Sequence, residues 1–104
     1  MNPLDLNQVL PSFVRIKKQG DGFVVQYRHA SRQIKIFSLT LTLDFAWQTV
    51  GHVDHSIPGF LVLVIHQLHF SECAAIRKAI QYASFEHPEN TLLSHTIVLL
   101  EPRH

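Results

Sequence analysis

At 104 residues the chain is long enough for one hydrophobic core, and a content of 46% hydrophobic against 16% charged residues excludes a disordered tail. Its longest apolar run, residues 60–65, falls far short of the roughly 20 residues a membrane span needs, and a lone Cys73 excludes an intramolecular disulfide and fits a reducing compartment. The formal net charge is only +1, so a charged surface has to come from local clustering. A single domain over residues 1–104 is expected. With Asp5 near the start and no apolar stretch beside it, the N-terminus gives no signal-peptide pattern, so the expectation is a cytoplasmic protein without membrane contact.

Residues 1–11 read as one turn of helix or an extended lead-in, closed by Pro11. Val14 and Ile16 then alternate with Phe13, Arg15 and Lys17. A turn signal, QGDG at 19–22, separates them from Phe23, Val25 and Tyr27, which alternate with Val24, Gln26 and Arg28, so residues 12–28 predict a β-hairpin. HASR at 29–32 is the next turn, and a third strand starts at Gln33. Its parity changes: Ile34 and Ile36 are apolar first, then Phe37, Leu39, Leu41 and Leu43 take over, opposite Ser38, Thr40 and Thr42. A strand cannot switch faces by one residue without an irregularity, which predicts a bulge near Ile36 and Phe37 or a strand that leaves one sheet surface for another. Residues 44–58 are the least legible, a short helix capped by Asp44 or a continuing strand, with a loop from Gly51 to Pro58.

From residue 60 the pattern is clearer. Residues 60–68 are apolar on both parities up to His66, as in a strand covered on both faces. Ser71 is the expected N-cap of a helix, with Glu72 in its first turn. Cys73, Ile76, Ile80 and Ala83 recur at helical spacing, and Pro88 ends the helix. That inner stripe makes Cys73 a small buried hydrophobe rather than a nucleophile. A further apolar strand over 92–100 completes a parallel βαβ unit. The fold class is therefore α+β: a mixed sheet of about five strands, an N-terminal β-meander followed by a βαβ unit, and the helix packed on one face.

Histidine is over-represented, with eight at positions 29, 52, 55, 66, 69, 87, 95 and 104. His52, Asp54 and His55 form a weak candidate metal site of the H-x-D-H kind. His66 and His69 share the H-x-x-H spacing, but on one strand they point to opposite faces. His66 and His95, each within an apolar strand, can approach across a parallel pair as hydrogen-bonded core histidines. No nucleophile motif, phosphate-binding glycine loop or paired-carboxylate pattern appears, so neither enzymatic activity nor a cofactor is expected.

Two surfaces remain. Residues 11–36 hold six basic side chains against Asp21 alone. If the strands pair as a meander, Arg15, Lys17, Arg28, Arg32 and Lys35 share a basic face able to attract nucleic acid. Lysine and arginine also protect open sheet faces from aggregation, so a solvated face is the simpler reading. Leu39, Leu41, Leu43, Phe45 and Trp47 add more apolar surface than a chain of this size easily buries. That surplus makes a non-catalytic interaction or regulatory module, a homodimer or the binder of a protein partner, the leading expectation. Nucleic-acid binding through residues 15–35 is the alternative.

Overall fold

The computed structural model describes residues 2–101. The first hairpin forms where the alternation places it, from β1 (Val14–Gln19) and β2 (Gly22–Tyr27), with Val14 opposite Tyr27 and Gln19 opposite Gly22. Gly20, at φ 60°, makes the reversal, a conformation glycine adopts without a Cβ clash. Val14, Ile16 and Val25 are buried on the inner face, while Arg15 and Lys17 take the opposite parity and point outward.

β2 does not pair with the segment that follows it. Its next neighbour is β5 (Gln48–Asp54), antiparallel, with Val24 opposite His52 and Gln26 opposite Thr49 across an irregularity at Val25 and Gln26. β5 pairs antiparallel with β6 (Leu61–Ile65), and β6 pairs parallel with β7 (Thr96–Leu100), giving a five-stranded mixed sheet of order β1-β2-β5-β6-β7. The helix α1 (Phe70–Glu86) joins β6 to β7 and supplies the crossover of the βαβ unit. The chain is thus of the α+β class, with a meander, a βαβ unit and a helix against the sheet.

The core lies between the inner sheet face and α1. Leu61, Leu63 and Ile65 meet Cys73, Ile76, Ile80 and Ala83 there. Leu92 and Leu93 from the short α2 (Thr91–Ser94), and Leu6 and Leu10 from or near the N-terminal 3-10 helix (Pro3–Gln8), close its ends. Fully burying a side chain of this kind stabilises the fold by about 1.5–3 kcal/mol. Cys73 is buried, and burial pushes its thiol above the ordinary 9.0. Gly51 is dictated by close approach: a methyl group there would collide with the carbonyl oxygen of Val64 on β6. Among the described residues no helix is long and apolar enough to cross a membrane.

Several local expectations are corrected. Residues 33–43 are not one bulged strand but two, β3 (Arg32–Ile36) and β4 (Leu39–Leu43), forming a separate two-stranded sheet. The parity flips because the chain reverses at Phe37 and Ser38. The third strand of the meander is β5, inside the segment expected to end as a loop. The helix starts before Ser71, at an N-cap of His69, because the Glu72 carboxylate reaches back to accept the His69 N–H at 3.0 Å. It ends as expected ahead of Pro88, with His87 as C-cap. β6 is buried on both parities, with Val64 on the outer side only 7% exposed, although among the described residues no second layer covers that face and Ile97 and Leu99 of β7 stand exposed on it.

Both edges of the main sheet are occupied locally. On β1, the Asn7 side chain donates to the Ile16 carbonyl at 2.9 Å and accepts from the Ile16 N–H at 2.6 Å. On β7, bonds from the Leu61 N–H to the His95 carbonyl and from the Glu101 N–H to the Ile65 carbonyl bracket the parallel ladder. Their alternation leaves the Val98 carbonyl facing the free edge, where Arg77 donates to it at 2.9 Å. Such contacts blunt an edge against strand addition.

Candidate interaction surface

β3 and β4 form an arm that leaves the body between β2 and β5. The principal extents are 56 × 35 × 25 Å and the radius of gyration is 15.6 Å, against about 13 Å for a chain of this length folded without projections. β-branched Ile34, Ile36, Thr40 and Thr42 favour the extended ribbon. The register pairs Ile34 with Leu41, Ile36 with Leu39 and Arg32 with Leu43. Directly opposed residues share a face, so Ile34, Ile36, Leu39, Leu41 and Leu43 line one side, and Gln33, Lys35, Thr40 and Thr42 the other. Those five apolar residues are 40–66% exposed. A lone two-stranded ribbon is marginally stable in water, so this face is where the arm lacks packing.

At the tip, Phe37 is 99% exposed with φ 58°. It is the first of two loop residues between the Ile36–Leu39 pair, and Ser38, the second, has a negative φ. This is the II′ pattern, where glycine is the usual occupant. A phenylalanine there accepts backbone strain while leaving its ring in water.

At the base, Phe13 meets Tyr27 edge to face at 5.6 Å, Tyr27 meets His29 at 5.1 Å, and His29 meets Phe45 at 6.1 Å. Burial first, and Glu72 beside it second, push the Tyr27 hydroxyl above the ordinary 10.0. Next to these rings is a cleft of about 430 Å³ lined by Phe13, His29, Ala30, Ser31, Asp44 and Phe45, among others.

The sequence-derived apolar set is therefore divided. Leu39, Leu41 and Leu43 lie on the arm face, Phe45 walls the cleft, and Trp47 turns elsewhere. The guanidinium carbons of Arg15 and Arg28 lie 4.2 and 4.8 Å from the Trp47 ring centroid, and the Arg15 Nε donates to the Gln26 Oε1 at 2.8 Å. The basic set is divided as well: Arg15 and Lys17 belong to β1 and Arg28 follows the end of β2, while Arg32 and Lys35 belong to the arm. They do not share one meander face, because the strand carrying Arg32 and Lys35 is not in the main sheet.

The histidines also group differently from expectation. His66 does not meet His95, which caps α2 and tilts against Phe60 at 5.2 Å. Its partner is His52, across the antiparallel β5–β6 pair on the open face, with His52 Nδ1 3.1 Å from His66 Nε2. His66 Nδ1 faces Glu101 Oε2 at 3.3 Å. Because Glu101 and His52 engage opposite nitrogens of His66, the three groups do not converge on a point. Asp54 is held by the Ser56 hydroxyl at 2.7 Å and the Ser56 N–H at 2.9 Å, and these bonds, the hydroxyl's first, hold its carboxyl below the usual range. His55 instead meets the edge of Phe23 at 6.1 Å. Among the described residues no set of three or more His, Cys, Asp or Glu side chains forms a metal cluster.

Sequence reasoning missed Ile34, Ile36 and Phe37 as parts of the surface, and the cleft altogether. The available signal was the near mirror symmetry of IKI and LTL about Phe37 and Ser38. Comparison with protein-family models, with curated proteins and with solved structures gives no match to this chain.

Proposed function

We propose that this chain is a non-catalytic protein-interaction module that acts as a homodimer in a regulatory or accessory role. The observation behind this reading is the uncovered apolar face of the arm, Ile34, Ile36, Leu39, Leu41 and Leu43, on a ribbon with too little packing of its own. Sedimentation equilibrium over a wide concentration range tests it. A reversible monomer–dimer equilibrium is expected, weakened by Leu41→Asp. A single monomeric species at every concentration would sink the dimer.

A second reading rests on the outer face of β1 and β2. Arg15, Lys17 and Arg28 have no carboxylate within ion-pair distance among the described residues, and unpaired cations beside an aromatic ring suit a nucleic-acid backbone. Fluorescence anisotropy with labelled single-stranded and duplex oligonucleotides tests this reading. Salt-sensitive binding that disappears when all three residues become Glu supports it, and absence of binding at low salt removes it.

A further inference from the structure

The arm face, the strained tip and the basal cleft stand unexplained one by one, yet they fit each other when two chains are considered together. We propose that two copies pair through antiparallel β3–β4 arms, each inserting its Phe37 ring into the cleft at the base of the other's arm. This inference rests on the self-association reading above and specifies its geometry.

The area suffices for a stable dimer. At roughly 200 Å² for a large apolar residue, the exposures of Ile34, Ile36, Phe37, Leu39, Leu41 and Leu43 amount to about 700 Å² per copy. Two copies then bury about 1,400 Å², within the span of ordinary specific interfaces. Pairing through the edges of the main sheet is the less favoured route, because Asn7 and Arg77 already occupy backbone groups on its outer strands.

The antiparallel arrangement follows from Phe37. Parallel arms would bring the two bodies together at one end and leave both tips in water. Antiparallel arms of five-residue strands overlap along their whole length, about 17 Å, and set each tip over the other's base. A two-fold axis makes both contacts at once, tip to base and base to tip. The cleft, about 430 Å³, is ample for a phenyl ring, since a cavity of roughly 150 Å³ holds benzene. Its walls offer Phe13 and Phe45 for ring contacts. The strain at φ 58° then has a role: it holds the ring out beyond the ribbon, where only another molecule can cover it.

Disulfide trapping tests this. Phe37→Cys and Ala30→Cys are prepared as separate chains, mixed and oxidised. Within one chain the tip lies too far from the base for a disulfide, and buried Cys73 stays unreactive. The expected product is a dimer linked between positions 37 and 30, identified by peptide mapping. Phe37→Gly, which the turn accommodates, should stay folded by circular dichroism while its dimer Kd rises at least tenfold. A dimer that links 37 to 37, or never links 37 to 30, overturns the antiparallel seating while self-association stands. A Phe37→Gly protein that dimerises as tightly as the native chain also overturns it. Monomers at every concentration overturn the pairing and the homodimer reading together.

Discussion

Replacing Phe37 by glycine is expected to stabilise the arm of the isolated monomer. At φ 58° a residue with a Cβ sits in the left-handed region, at a cost of about 1–2 kcal/mol that glycine does not incur. Glycine's greater freedom in the unfolded arm returns about 0.5–1 kcal/mol of that. The ring itself is 99% exposed, so no burial is lost. The net gain is about 0.5–1 kcal/mol, equivalent to a two- to fivefold change in the opening equilibrium of the ribbon. Global unfolding is the wrong measurement, because a weakly packed arm opens before the body does. Hydrogen exchange at the cross-strand amides of β3 and β4, in protein dilute enough to be monomeric, reads the quantity directly. Those amides should exchange two- to fivefold more slowly in Phe37→Gly, and Phe37→Ala, which keeps a Cβ, should show no such slowing. Faster or unchanged exchange in the glycine variant would refute the strain argument.

Three further outcomes are expected. Gly51→Ala forces a methyl group against the Val64 carbonyl and should cost on the order of 3 kcal/mol, read as a lower urea midpoint. Asn7→Ala removes both bonds to Ile16; at about 1 kcal/mol each the loss is roughly 2 kcal/mol, with earlier proteolysis of the 3-10 helix than of the body. Cys73 and Tyr27 both hold their protons more tightly when folded than their ordinary 9.0 and 10.0. The unfolded chain releases those protons first, so the contribution of these two groups to stability is level well below pH 9 and falls as pH rises through these ordinary values toward the folded ones. Urea midpoints across that range should show the fall, with Cys73→Ala removing its earlier part and Tyr27→Phe its later part.

The βαβ half of the fold was legible because its signals are redundant. Leu61, Leu63 and Ile65 are apolar at every inward position, Cys73, Ile76, Ile80 and Ala83 hold one helical stripe, and Pro88 stops the helix by sterics alone. The arm was hidden because the residue at its turn is the wrong one for the turn. With phenylalanine in place of glycine, asparagine or aspartate, only the parity flip remained, and a flip equally signals a bulge. β5 escaped because its two buried hydrophobic side chains, Val50 and Val53, are three apart beside an irregularity, so no apolar period of two survives. The His52–His66 contact depends on the β5–β6 register, which no spacing along the chain encodes. Trp47 read as apolar surface because its two cationic neighbours are 32 and 19 residues away in sequence.

The arm is an excursion that begins and ends at one place, since Tyr27 and Gln48 are paired across β2 and β5. Shortening the connection at 28–47 fourfold would lower the closure entropy of the body by about 1.2 kcal/mol, and no strand of the main sheet would change neighbours. The body thus carries the pairings of its own sheet, and the arm strands can be lengthened, trimmed or given new side chains without altering them, whereas His29 and Trp47 at the base pack against Tyr27 and Arg15 of the body. Variation confined to residues 32–43 can therefore reshape the exposed apolar face while leaving the pairings of the main sheet intact.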